Sequence, residues 1–235
     1  MTRVGLLGAA AADAADAVRD AGGTPLVDDT ADADVLAALD EDALLDAAFD
    51  ATAPILPVGV GREYGGVADT DRAAALAALA AGDYDVTERP TLSVTTESVD
   101  ARALADATLV ASETGDISEF GVRSDGRELD DVRADGVVAA TPVGSRGYAA
   151  DADGPVVNSD VDAVAVVPIA PFRIERTNWV VSPPASLTVV RDEAAVDLYV
   201  DGRRRGALAP HDPVTLDWGD PVSVATVSRS GHRAD

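Results

Sequence analysis

Apolar residues recur along this chain with two different textures. Over the first 90 residues, short apolar runs alternate with stretches of helical period, which is the α/β pattern. Val4 to Gly8 predicts a strand, and Ala11 to Ala21 predicts an Ala-rich helix closed by Gly22-Gly23. Val35 to Leu39 predicts a second strand, and Asp40 is placed to cap a helix over Glu41 to Phe49. Pro54 to Val60 predicts a third strand, followed by a glycine-containing turn at Gly61 to Gly66. Asp69 or Thr70 would then cap a helix over Arg72 to Ala81, ended by Gly82, with Leu76 and Leu79 facing the sheet. From about Thr91 the pattern becomes one of short β-rich runs. These are Leu92 to Thr96, Ala107 to Ser112, Ile117 to Arg123, Gly136 to Ala140, Ala163 to Pro168, Trp179 to Val181, Leu187 to Val190, Ala195 to Val200 and Pro221 to Val227. Asp125-Gly126 and Asp201-Gly202 are hairpin-type turns, and only Ser145 to Ala152 has a helix-like composition. The expectation is an α/β N-terminal domain over residues 1–90, a mostly-β C-terminal domain over 91–217, and a segment, 218–235, that returns to the first domain. The tail from Arg229 is polar and reads as frayed.

Composition narrows the possible functions. A chain of 235 residues can bury a sizeable core without covalent staples. It has no Cys, which excludes disulfides, zinc-thiolate sites and thiol catalysis. No apolar run approaches the roughly 18 residues of a membrane-spanning helix, and Met1 to Leu7 leads straight into a strand without signal-peptide features. The expectation is a cytoplasmic protein with no membrane partner. Asp and Glu number 42 against 18 basic residues, all of them Arg, for a net charge of -24. Such a chain repels nucleic acid and itself at low salt. At about 1 M salt the screening length falls to roughly 3 Å and the repulsion fades. We read the charge as adaptation to a salt-rich cytoplasm, a halophilic character that carries no information about catalysis.

The most informative segment is Thr141-Pro142-Val143-Gly144-Ser145-Arg146-Gly147-Tyr148, continuing through Ala149 to Val156. Pro142 stops a strand, Gly144 permits close backbone approach, and Thr141, Ser145 and Tyr148 carry hydroxyls. The stretch resembles, without gaps, the NAD kinase signature TPTGSTAYSLSAGGPI, and Asp135-Gly136-Val137-Val138 just before it resembles the strand that leads into that signature. The likeness continues in register. Pro54 to Arg62 is similar to PILGVNxGRLGFL, Gly82-Asp83-Tyr84 to the start of the family's second domain, Pro168 to Phe172 to the motif tPiaPHsL, and Val200 to Arg203 to a late DGq turn. The order and spacing of these matches, over roughly residues 33 to 220, identify the chain as a member of the NAD kinase family.

The resemblance implies an NAD kinase-like fold. It implies NAD, ATP and Mg²⁺ as ligands, small-molecule nucleotides as partners, and a homodimer or homotetramer assembled through the β-rich domain. It also places Thr141, Ser145 and Tyr148 along the dinucleotide pocket. The family's GGDG loop falls on Leu39-Asp40-Glu41-Asp42, so its glycines are absent and its catalytic Asp is replaced by Glu41. In the family that carboxylate sits beside the reacting hydroxyl and accepts its proton. The Asn of the GVN motif falls on Gly59. The family's Asn-acid pair is placed on Ser112 and Glu113, where Glu113 would bind a ribose hydroxyl. Val143 and Arg146 replace two Thr of the signature. Arg146 has two readings, a phosphate contact or a pairing with nearby acids. Two functions therefore stand at this point. One is a kinase that phosphorylates the 2′-hydroxyl of NAD with Glu41 as base. The other is a catalytically inactive dinucleotide-binding sensor or regulatory protein on the same fold.

Other features read as ordinary. His211 lies in a turn and His232 in the tail, neither beside a Ser or acid motif that would complete a hydrolase triad. Arg203-Arg204-Arg205 reads as a solvated tip, and Asp28-Asp29 as a loop. The glycines near residue 60 lack the spacing of a Rossmann fingerprint. No metal-ligand cluster is predicted.

Overall fold

The computed structural model describes residues 1–27, 29–60, 64–113, 115–172, 177–191 and 194–228. Asp28, Gly61 to Glu63, His232 and the tail from Arg229 lie outside the described residues. The chain divides into two compact units, one of residues 1–89 and 221–235, the other of residues 90–220.

The first unit is a parallel α/β layer. Its strands are β1 (Arg3–Leu7), β2 (Thr24–Leu26), β3 (Val35–Ala38) and β4 (Ile55–Pro57), in the order β2-β1-β3-β4. The distal part of a long last strand, β16 (Pro213–Thr226), adds to the edge through a parallel pairing of Val224 with Ile55. All four residues of β3 are buried, as expected of a strand covered on both faces by crossover helices. Helix α1 (Ala11–Asp20) buries Ala11, Ala14, Ala15 and Val18, one stripe at helical spacing. Helix α2 (Glu41–Ala47) buries Leu44 and Leu45. Helix α3 (Arg72–Ala81) buries Leu76 and Leu79 fully and closes on Gly82 with left-handed backbone. The α3 cap differs from expectation. A 3-10 turn over Asp69–Asp71 precedes the helix and neither Asp69 nor Thr70 caps it. Asp69 instead pairs with Arg72 one turn away.

The second unit is a β-sandwich. One sheet has the strand order β12-β11-β10-β7-β14-β15, formed by β7 (Asp106–Ala111), β10 (Gly136–Ala140), β11 (Val164–Ile169), β12 (Trp179–Val181), β14 (Val196–Val200) and β15 (Arg203–Leu208). The other contains β8 (Ser118–Ser124), β9 (Arg127–Ala134), β13 (Ala185–Val189) and the proximal part of β16, with β6 (Asp100–Ala103) paired to β5 (Asp85–Thr95). Inner-face residues Leu92, Leu109, Phe120, Val122, Val137, Leu187, Leu198, Val214 and Leu216 form one core, the expected outcome of period-2 alternation on two facing sheets. The middle of β10 and β11 is buried on the opposite face as well. There Val138, Ala140, Ala165 and Val167 pack under Ala149 of a short helix, α4 (Tyr148–Asp151), and under Val157. This second small core fixes the signature segment onto the sheet.

Candidate functional site

The signature turn begins where β10 ends. Gly136 to Ala140 pair with both β7 and β11, and Pro142 removes the donor that would continue the ladder. The Thr141 N–H donates to Ala105 O at 2.8 Å, and its hydroxyl donates to Leu104 O at 2.8 Å while accepting from the Gly144 N–H at 3.2 Å. A side chain at Gly144 would place its Cβ 2.1 Å from Ala105 O. Only glycine lets the turn lie this close to residues 104–106. The Ser145 hydroxyl donates to Pro142 O at 2.8 Å and accepts from the Val157 N–H at 2.9 Å, which ties the segment after α4 back to the turn. Thr141 and Ser145 are fully buried. Their hydroxyls build the turn. The groups the turn turns outward are the exposed Arg146 and the half-exposed Tyr148.

Two residues absent from the sequence expectation belong to this turn. Asp106 pairs across from Ala140 at the start of β7. Burial pushes the Tyr148 phenol above its ordinary value, and the carboxylates of Asp106 and Asp135 push it the same way. Asp135 precedes β10 and its carbonyl accepts from the Ala111 N–H at 2.9 Å, while Asp106 stands at the start of the turn. Ser112 and Glu113 stand six residues further along, past the other end of β7, roughly 20 Å away at about 3.3 Å per residue. Both are exposed. The Ser112 N–H donates to Ala195 O, and its hydroxyl helps hold the Asp197 carboxylate below the usual range, after the larger contribution of Arg204. The second residue is Asp201, in the Asp201-Gly202 turn between β14 and β15. Its buried carboxylate accepts from the N–H groups of Leu104, Ala105 and Asp106 at 2.8, 2.7 and 3.1 Å. An Asp-Gly pair signals a turn, but nothing local signals partners almost a hundred residues earlier. Arg204 is exposed, as expected of a solvated tip, and pairs with Asp197 at 2.7 Å.

In the first unit, Asp40 caps α2 by accepting from the Ala43 N–H at 2.8 Å, and its other oxygen accepts from the Ala9 N–H at 3.0 Å. Glu41 opens the helix, exposed, with one carboxylate oxygen accepting from the buried Tyr64 hydroxyl at 3.1 Å. Gly59 lies in the turn after β4, its N–H bonded to Val67 O at 2.8 Å.

Comparison with known proteins agrees with this arrangement. Residues 104–223 match the family described as ATP-NAD kinase C-terminal domain. The chain belongs to the ATP-NAD kinase family. The NAD kinase of Methanosarcina mazei is 37% identical over 116 residues, covering 48% of this chain and 40% of that protein. The NAD kinase of Thermococcus sibiricus is 34% identical over 155 residues, covering 64% and 56%. The chain therefore spans about half the length of the curated relatives it matches. Among solved structures, yeast NADH kinase complexed with NADH superposes with a TM-score of 0.80 at 15% identity, covering 99% of this chain and 85% of that one. An NAD kinase from Archaeoglobus fulgidus in complex with ATP gives 0.74 at 20% identity, covering 97% and 95%. These two likenesses establish the NAD kinase fold, an α/β region with a mostly-β region.

The ATP-NAD kinase resemblance also implies Mg²⁺. Among the described residues, no three acidic or histidine side chains gather closely enough to hold a metal ion. Asp40, Asp42 and Asp46 line an open depression of about 490 Å³ with Leu7, Gly8 and Ala9. Carboxylates suit Mg²⁺, which reaches phosphotransferase sites through one or two of them together with nucleotide phosphates. Asp40 already commits both oxygens to the Ala9 and Ala43 N–H groups, so these residues do not form a metal site by themselves. No helix is long and apolar enough to cross a membrane among the described residues.

Proposed function

We propose that this chain binds NAD at the Thr141–Tyr148 turn and phosphorylates its 2′-hydroxyl to give NADP. Support comes from the family membership and from a signature turn tied together by the Thr141 and Ser145 hydroxyls, with Tyr148 and Arg146 outward. The donor is ATP, whose γ-phosphoryl leaves ADP and forms the new bond to the 2′-oxygen. Glu41 takes the hydroxyl proton, and Mg²⁺ brought in with the nucleotide would neutralise phosphate charge. Within this reading Thr141 and Ser145 shape the pocket, Tyr148 contacts the dinucleotide, Gly59 supplies backbone, and Ser112 and Glu113 lie peripheral to the turn. The active species is a homodimer or homotetramer in a salt-rich cytoplasm.

A second reading, a non-catalytic dinucleotide sensor, is favoured by Asp40. Its carboxylate already occupies the Ala9 and Ala43 N–H groups, the kind of donors that phosphate oxygens use. With Glu41 and Asp42 alongside, it also repels a triphosphate. The discriminating assay is incubation with NAD, ATP and Mg²⁺ in about 2 M KCl, where screening is strong. NADP that forms with the wild type and not with Glu41→Gln supports the kinase. Tight NAD binding without NADP supports the sensor. Absence of any dinucleotide binding overturns both.

A further inference from the structure

We propose that Asp201 is a positioning residue for the dinucleotide turn, acting through the peptide groups of Leu104 and Ala105. The proposal rests on the reading of that turn as the NAD site. The connection can be followed atom by atom. One Asp201 oxygen accepts from the Leu104 N–H, the other from those of Ala105 and Asp106. The carbonyls on the far side of the first two residues hold the turn: Leu104 O receives the Thr141 hydroxyl and Ala105 O receives the Thr141 N–H. Ala105 O also sets the floor against which Gly144 lies. The third N–H belongs to Asp106, which pairs across from Ala140 where the turn begins. Asp106 is further fixed by its own carbonyl, which accepts from the Asp201 N–H at 2.9 Å.

A carboxylate is suited to this task. Charge-assisted bonds from backbone N–H groups are short and roughly twice as strong as neutral ones, and those from Ala105 and Asp106 polarise the two peptide groups whose carbonyls, Leu104 O and Ala105 O, bind the turn. The residue is buried, takes φ of +49°, a conformation that Asp tolerates, and is followed by Gly202. Three separate parts of the proposed site, Thr141, Gly144 and Asp106, are therefore located by one side chain from another hairpin. A change there moves the turn without touching any atom that contacts the ligand.

The test compares Asp201→Asn, which keeps shape and part of the acceptor set, with Leu216→Ala, a core change in the same unit remote from the turn. NAD affinity is measured by titration calorimetry in about 2 M KCl, and amide exchange is followed over 104–106 and 141–148 with 164–167 as an internal control. Asp201→Asn is expected to weaken NAD binding by about 10- to 100-fold, the loss of one charge-assisted bond. Exchange should accelerate over 104–106 and 141–148 and stay unchanged over 164–167. Leu216→Ala should lower the melting temperature and leave NAD affinity as in the wild type. Wild-type affinity in Asp201→Asn, unchanged exchange over 141–148, or an equal affinity loss in Leu216→Ala would overturn the assignment. Should the wild-type chain bind no dinucleotide, the NAD reading falls by itself. The exchange pattern would still decide whether Asp201 holds the turn.

Discussion

Asp40 and Asp201 each receive backbone N–H groups on a carboxylate, in settings of different solvent access. Asp40 stands at the partly exposed start of α2 and joins Ala9 to Ala43. Asp201 stands in a turn that keeps the family's Asp-Gly pair, is buried, and joins residues 104–106 to the signature turn. The second carboxylate builds a rigid wall. Solvent access separates the two. An exposed cap exchanges water for backbone at little net gain, whereas a buried carboxylate that loses its donors keeps its full desolvation cost.

That contrast can be broken or sharpened by substitution. The largest effect is expected from Gly144→Ala, whose Cβ would lie 2.1 Å from Ala105 O and 2.5 Å from its carbonyl carbon. The backbone must shift, at a cost of about 3 kcal/mol or more, visible as a lower denaturant midpoint together with loss of NAD binding. Unchanged stability would mean the turn does not lie against Ala105. Next comes Thr141→Val, which leaves Leu104 O and the Gly144 N–H without their partner. It should cost about 1–3 kcal/mol, and Thr141→Ser should recover most of it in the same denaturant titration. Asp40→Ala removes only a partly exposed cap, so about 1 kcal/mol is expected. A loss as large as that of Thr141→Val would erase the distinction drawn between the two regions. The smallest effect concerns the exposed Arg3–Asp34 pair. The Arg3 hydrogen bonds to its side chain and backbone hold the Asp34 carboxyl down at about 2 from an ordinary 3.8. A depressed folded pKa makes the contribution complete above 3.8 and lost as pH falls through about 2. The melting-temperature gap between wild type and Asp34→Asn should therefore be constant near neutrality and vanish across that acid window.

Much of the architecture was legible in the chain. The five residues of β10, the cap at Asp40, the burial of Leu76 and Leu79 and the helix stop at Gly82 all follow from local pattern. The strands that pattern did not reveal share a physical cause. Edge strand β9 reads Arg-Glu-Leu-Asp-Asp-Val-Arg-Ala and shows only Val132 and Ala134 buried, so no alternation marks it. Strand β15 at the other sheet's edge begins with three Arg, and β2 and β6 have no buried run longer than one residue. Strand β16 was expected only from Pro221. It starts at Pro213 and runs through Gly219-Asp220-Pro221, residues that punctuate a strand in isolation. It persists because neighbouring strands pair with it along its length.

The same division holds for the site. Periodicity, capping residues and a gap-free signature were sufficient to place the turn at Thr141 to Tyr148 and to name its family, because each depends on residues a few positions apart. The use of each hydroxyl and carboxylate lay beyond that range. Thr141 and Ser145 offer the same groups whether they face a ligand or their own backbone. Asp106 stands opposite Ala140 at the start of the turn because β7 and β10 pair antiparallel in one register. Asp201 acquires its task from N–H groups nearly a hundred residues away, and only the folded chain brings them within hydrogen-bond distance.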